Sequence, residues 1–118
     1  MCGIAGILRL DGSAVSREDT ERLTAALAHR GPNGQGIHLD GNVGLGHRRL
    51  SVIDLTTASS QPMVSEDGKI ALIFNGEIYN FQEKRAMLEA KGHRFRSSGD
   101  TEVLLKLYEE FGPKCTDH

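Results

Sequence analysis

Glycine punctuates this chain at intervals too short for long elements. Fourteen of its 118 residues are glycine, where about eight would be usual. Several sit in turn-forming pairs: Asp11-Gly12, Gly31-Pro32, Asp40-Gly41, Asp67-Gly68, Asn75-Gly76 and Gly112-Pro113. Glycine at that level means many tight turns, or backbone held close to a ligand. What lies between the pairs must be short strands and modest helices within one small domain.

Gly3 to Leu10 alternates, with Ile4, Gly6, Leu8 and Leu10 on one face, and reads as a strand ended by Asp11-Gly12. The stretch from Ser16 to Pro32 reads as a helix. Ser16 is its N-cap with Asp19 three residues on, Leu23, Ala26 and Leu27 form an apolar stripe, and Gly31-Pro32 stops it. Residues 36–50 form a hairpin around Asp40-Gly41-Asn42. A loop and the turn Asp67-Gly68 lead into a buried strand from Lys69 to Phe74, closed by Asn75-Gly76. Asn80 and Glu83 then make a capping pair for a helix that stops at Gly92, and residues 93–97 read as a short strand. Asp100 caps a last helix carrying Val103, Leu104, Leu107, Tyr108 and Phe111, and the tail after Gly112-Pro113 forms no element. The fold class is α+β, with antiparallel pairing and helices packed on a sheet.

Composition excludes several functions. A formal charge of −2 gives no basic field for nucleic acid or anionic lipid. No apolar run approaches the roughly 18 residues of a membrane span, and the start lacks a secretory signal. Cytoplasmic residence is the expectation. Cys2 and Cys115 are too few for a disulfide scaffold and form no CxxC redox motif. His29, His38, His47, His93 and His118 have no ligand-like spacing, so no metal site is expected.

Cys2 is the residue with chemical promise. Once Met1 is removed, its thiol lies beside a free α-amine, a base with an unperturbed pKa of roughly 8 against roughly 8.5 for the thiol. A thiol attacking an amide carbon needs such a base, donors for the oxyanion, and groups to hold the substrate. Asn75-Gly76 offers a side-chain amide followed by an N–H unshielded by any Cβ, although the same pair is also a common hairpin turn. Arg48 and Arg49 follow a strand, and a planar guanidinium suits a carboxylate. Alternation puts Arg49 on the side of Leu45 and His47. Asp100 has the charge to accept an ammonium group, and equally the position of an N-cap.

Together, "MCGIAGI", "HRGPNGQG", "LGHRRLSVIDL", "FNGEIYN" and "SSGDTEVLL", in this order, resemble the class II glutamine amidotransferase domain, in its asparagine synthetase branch. "HRRLSVIDL" and "NGEIYN" carry the branch assignment. The resemblance spans Cys2 to about Phe111. It implies an N-terminal-nucleophile hydrolase fold, with antiparallel sheets sandwiched between helices. Cys2 would be the nucleophile, and Asn75 and Gly76 the oxyanion hole. Arg49 would bind the glutamine α-carboxylate with backbone help around Leu50 and Val52, and Glu77 and Asp100 would contact the amide and α-amine ends. A γ-glutamyl thioester on Cys2 would release ammonia, and water would then free glutamate.

The resemblance also implies more chain than is present here. Residues 1–118 are expected to be the N-terminal part of a type-2 glutamine amidotransferase domain, ending before the last strands and before a synthetase domain that would use ATP and Mg to amidate aspartate. No cofactor is expected in these residues themselves. The expected partners are L-glutamine and that synthetase domain, with homodimerisation left open. Unpaired sheet edges would leave the chain marginally stable, prone to associate and poorly active. Asn33 stands where the family usually has Asp, a change the turn tolerates. Two other functions fit the sequence less well: amidation of a different acceptor, such as a sugar carboxylate or dipeptide, and a non-catalytic fold remnant that binds glutamine.

Overall fold

A computed structural model describes residues 1–50 and 56–118. The elements run β1 (Gly3–Leu8), α1 (Arg17–Ala25), β2 (Gly34–Asp40), β3 (Val43–Arg49), β4 (Met63–Val64), β5 (Ala71–Leu72), α2 (Phe81–Ala90) and α3 (Asp100–Phe111). Short 3-10 turns span Thr57–Ser59 and Gly112–Asp117. The class is α+β, and its described strands form two antiparallel sheets, ordered β1-β3-β2 and β4-β5.

The larger sheet grows from the expected hairpin. Asp40 pairs with Val43 across a two-residue loop whose Gly41 takes φ +54°, the backbone region that glycine enters without cost. β1 joins the far edge of β3, with Gly3 opposite Arg48 and Leu8 opposite Val43. Residues directly opposite share a face. Ala5, Ile7, Gly44, Gly46, Arg48, Ile37 and Leu39 therefore face one way, and Ile4, Leu8, Leu45, His47, His38 and Arg49 the other.

α1 lies on the first face and begins as expected, with the Asp19 N–H donating to Ser16 Oγ at 3.1 Å. Its packing face is not the expected Leu23 stripe. Thr20 and Thr24 are buried, while Leu23 is 47% exposed. The sheet supplies the reason: a Cβ at Gly46 would overlap Thr24 Oγ1, and one at Gly44 would crowd Thr20 Oγ1 and Val15. Only short side chains fit between backbones this close. Each buried hydroxyl is satisfied by its own helix, Thr20 Oγ1 donating to Ser16 O at 3.0 Å and Thr24 Oγ1 to Thr20 O at 2.6 Å.

The second half differs from expectation in several places. The strand expected at Lys69–Phe74 shrinks to Ala71–Leu72 and is half-buried, because its described partner β4 is only two residues long. Residues 93–97 form no strand. The Arg96 and Ser97 N–H groups instead donate to the buried Glu102 carboxylate at 2.8–3.0 Å, which replaces a strand partner. Asn80 makes no side-chain cap bond. Asp100 is the first residue of α3 and not its cap, since Gly99 takes that position.

α2 ends as the sequence indicates. Gly92 takes φ +98°, its N–H donates to Glu89 O, and the His93 N–H donates to Leu88 O, both at 3.0 Å, which is a Schellman closure. Leu88 packs with Val103, Leu107 and Cys115 in the core between α2 and α3. The tail does form structure: it folds back over residues 112–117, burying Cys115 and stacking His118 on Phe111 with ring centroids 3.8 Å apart.

Candidate active site

Cys2 stands just before β1 and is fixed by residues distant in sequence. Arg30 Nε donates to the Cys2 carbonyl at 3.0 Å. The Cys2 Sγ accepts from the Leu50 N–H at 3.3 Å and donates to the Leu50 carbonyl at 3.5 Å. Because β1 pairs with β3 from Gly3 opposite Arg48 onwards, the sheet register itself carries the end of β3 to the thiol. Both cysteines are free thiols. Cys2 is half-buried beside open space, whereas Cys115 is enclosed in the helical core.

That open space is a cavity of about 460 Å³, whose lining includes Met1 together with Cys2, Arg49, Leu50, Asn75, Gly76, Glu77 and Asp100. Seven of the eight residues singled out from sequence thus line one cavity, and Val52 lies outside the described residues. The two arginines separate as alternation requires. Arg48 turns to the α1 face, donating from Nε to Gly31 O at 2.9 Å and from Nη1 to Gln35 Oε1 at 2.8 Å. Arg49 faces the cavity, donating from Nη1 to Thr56 O at 2.6 Å. Asn33 closes its turn through its backbone, its N–H donating to Arg49 O at 2.9 Å.

Asn75-Gly76 does not act as a hairpin turn. No described strand comes after it, and Gly76 keeps a negative φ. A Cβ there would come 2.9 Å from Phe74 Cζ, so any larger residue would make the ring shift. The loop is held from several sides. Gln61 Oε1 accepts the Phe74 N–H at 2.6 Å, His47 Nε2 meets the Phe74 carbonyl at 3.3 Å, and Asp100 Oδ2 accepts the Ile78 N–H at 2.9 Å. A carbonyl can only accept, so Nε2 carries the hydrogen. Burial holds the His47 pKa below its ordinary value, the Phe74 carbonyl partly opposes this, and the Arg49 charge adds to the lowering. The ring is neutral at pH 7.

The cavity can accommodate a zwitterion. The Arg49 cation and the Glu77 and Asp100 carboxylates line one space with the thiol, and opposite charges suit the two ends of an amino acid. Sequence reasoning passed over Gln61 and Thr101, which also line it. It placed His47 beside Arg49 by alternation without seeing its reach to Phe74.

The chain belongs to the glutamine amidotransferase domain family, whose model matches residues 1–118. Among its relatives it is 43% identical to an asparagine synthetase [glutamine-hydrolyzing] of Triphysaria versicolor, over 95% of this chain and 19% of that protein. It is 42% identical to asparagine synthetase [glutamine-hydrolyzing] 2 of Bacillus subtilis, over 95% of this chain and 15% of that protein. A third relative, asparagine synthetase [glutamine-hydrolyzing] 2 of Oryza sativa subsp. japonica, is 41% identical over 99% of this chain and 20% of its own length. The chain spans about a fifth or less of these relatives. None of its described helices is long and apolar enough to cross a membrane.

Proposed function

We propose that this chain is the glutamine-hydrolysing part of an asparagine synthetase, releasing ammonia from L-glutamine for the amidation of aspartate. The observation that carries the reading is one cavity shared by the Cys2 thiol, the Arg49 cation, the Asn75-Gly76 pair and the Asp100 carboxylate. In this reading the two antiparallel sheets belong to an N-terminal-nucleophile hydrolase sandwich, and residues 1–118 to its N-terminal part.

Removal of Met1 exposes the Cys2 α-amine. The amine takes the thiol proton as Sγ bonds to the amide carbon of glutamine. Asn75 Nδ2 and the Gly76 N–H donate to the resulting oxyanion, a contribution of about 3 kcal/mol for each such donor. The C–N bond then breaks, and the proton held by the amine leaves with ammonia. Water attacks the γ-glutamyl thioester, the amine accepts its proton, and glutamate departs as the thiol re-forms. Arg49 binds the α-carboxylate, with backbone groups near Leu50 and Val52. Asp100 meets the α-amine and Glu77 the amide end.

ATP and Mg belong to the synthetase reaction, carried by a partner domain in the cytoplasm. Among the described residues no three His, Cys, Asp or Glu side chains converge on a point that would hold the ion, and no step at this site runs through either group. The test is glutamate formation from glutamine by chain lacking Met1. Turnover that disappears in Cys2→Ala is expected, and equal turnover in that variant would overturn the reading.

A further inference from the structure

Phe74 is gripped at both ends of its backbone by side chains from different parts of the fold. Gln61 Oε1 takes its N–H at 2.6 Å, and His47 Nε2 gives a hydrogen bond to its carbonyl at 3.3 Å. Each gripping residue is itself anchored. His47 is 1% exposed in the middle strand of the larger sheet, opposite Ile4 on one side and Gly36 on the other. Gln61 Nε2 donates to Thr101 Oγ1 at 3.3 Å, in the first turn of α3. The Gln61 backbone also lies against Gly36, where a Cβ would overlap its carbonyl.

Phe74 in turn fixes the residues after it. Its carbonyl belongs to the peptide plane that leads into Asn75, and its ring lies so close to Gly76 that a Cβ there would come 2.9 Å from Cζ. At the other end of this loop, Asp100 holds the Ile78 N–H. Residues 74–78 are therefore pinned at both ends to the sheet and to α3, with Asn75 and Gly76 in the bracketed centre. A site that stabilises developing charge gains from donors fixed before the reaction begins.

We infer that His47 and Gln61 are positioning residues that aim the Asn75-Gly76 donors at the substrate carbonyl, with Thr101 as the outer anchor of Gln61. The inference rests on the glutaminase reading above. It assigns to two residues with no role in that reading a function in aiming the oxyanion donors. Removing either grip frees the Phe74 backbone, and a displacement of about 1 Å at such donors costs on the order of 100-fold in rate.

The test compares chain lacking Met1 with its Gln61→Met, Gln61→Glu and Thr101→Val variants. Glutaminase kcat and KM are measured, together with the rate of Cys2 alkylation by iodoacetamide, a displacement that develops no oxyanion. Gln61→Met is expected to lower kcat by about 100-fold, with KM and the alkylation rate unchanged. Gln61→Glu keeps an acceptor for the Phe74 N–H but loses the donor to Thr101 and adds a charge to the cavity, so it should lose less of kcat than Gln61→Met without regaining the parental value. Thr101→Val, which leaves both gripping side chains in place, should show a smaller loss of the same kind. Should Gln61→Met fold poorly, Thr101→Val alone decides: a loss confined to kcat supports the clamp. Parental kcat in the variants, or a rise in KM with kcat preserved, overturns it. Absence of turnover in the parent chain would instead remove the glutaminase reading, and is seen before any variant is compared.

Discussion

The sulfur of Cys2 lies 3.3 Å from the backbone nitrogen of Leu50 and 3.5 Å from its carbonyl oxygen, across 48 residues of chain. Antiparallel pairing of β1 with β3 produces this closeness, because the start of one strand must meet the end of the other. The same pairing delivers Arg49 to the cavity and turns Arg48 away from it. The Cys2 thiol and the Arg49 cation thus reach one cavity as two consequences of one sheet register.

The two cysteines should separate stability from chemistry. Cys2→Ala is expected to abolish glutamine hydrolysis with little change in melting temperature. Cys115→Ala, in the core with Leu88, Val103 and Leu107, should cost about 1 kcal/mol, a few degrees of melting, and leave turnover intact. Thermal melts and ammonia release, measured on both variants, check this.

Close packing of α1 on the sheet gives a second expectation. Gly46→Ala would drive a Cβ into Thr24 Oγ1, so it should destabilise by about 1–3 kcal/mol through overpacking. Adding Thr24→Ser to that variant removes a methyl group beside the new Cβ and should recover part of the loss. Urea denaturation of the single and double variants reads both effects.

Those contacts also show where the sequence was legible. The turns at Gly12, Gly41 and Gly68, the Ser16 cap and the alternation along β3 each depend on neighbouring residues, so they could be read locally. The face of α1 could not, because what chose Thr20 and Thr24 over Leu23 was the missing side chains at Gly44 and Gly46 on another element. Likewise residues 93–97 gave a strand pattern, and only the fold brought Glu102 to take the N–H groups of Arg96 and Ser97. The seven named residues that line the cavity could be picked out because their motifs keep fixed local order. Gln61 was missed because its partners, Phe74 and Thr101, lie 13 and 40 residues away.

His47 should give stability a pH dependence. Its folded pKa lies below the ordinary 6.5, with burial the largest cause. Between the two values the unfolded chain binds more protons than the folded one, so stability falls as pH drops below about 6.5 and levels off below the folded pKa. Above 6.5 this group contributes no slope. His47→Gln keeps an N–H for the Phe74 carbonyl and should remove this part of the pH dependence. Denaturant midpoints for parent and variant from about pH 7.5 to about pH 5 measure it.

The proposed function gives Asp100 a second role beside its bond to the Ile78 N–H, and substitutions can divide the two. Asp100→Asn keeps an oxygen for the Ile78 N–H but loses the charge offered to the substrate amine. Its KM for glutamine should rise roughly tenfold to a hundredfold, as expected for losing a charged hydrogen bond, while the melting temperature holds. Asp100→Ala loses both contacts and should lower kcat and stability as well. Steady-state kinetics with parallel melts separate the two variants.

The central claim is that Cys2 is the nucleophile of a glutamine site, and intact-mass analysis tests it most directly. Purified chain is weighed before and after exposure to a glutamine-mimicking electrophile, with and without excess glutamine. The account predicts loss of Met1 and a single adduct that maps to Cys2 and is suppressed by glutamine. Retention of Met1, or adducts shared between Cys2 and Cys115 and indifferent to glutamine, would contradict it.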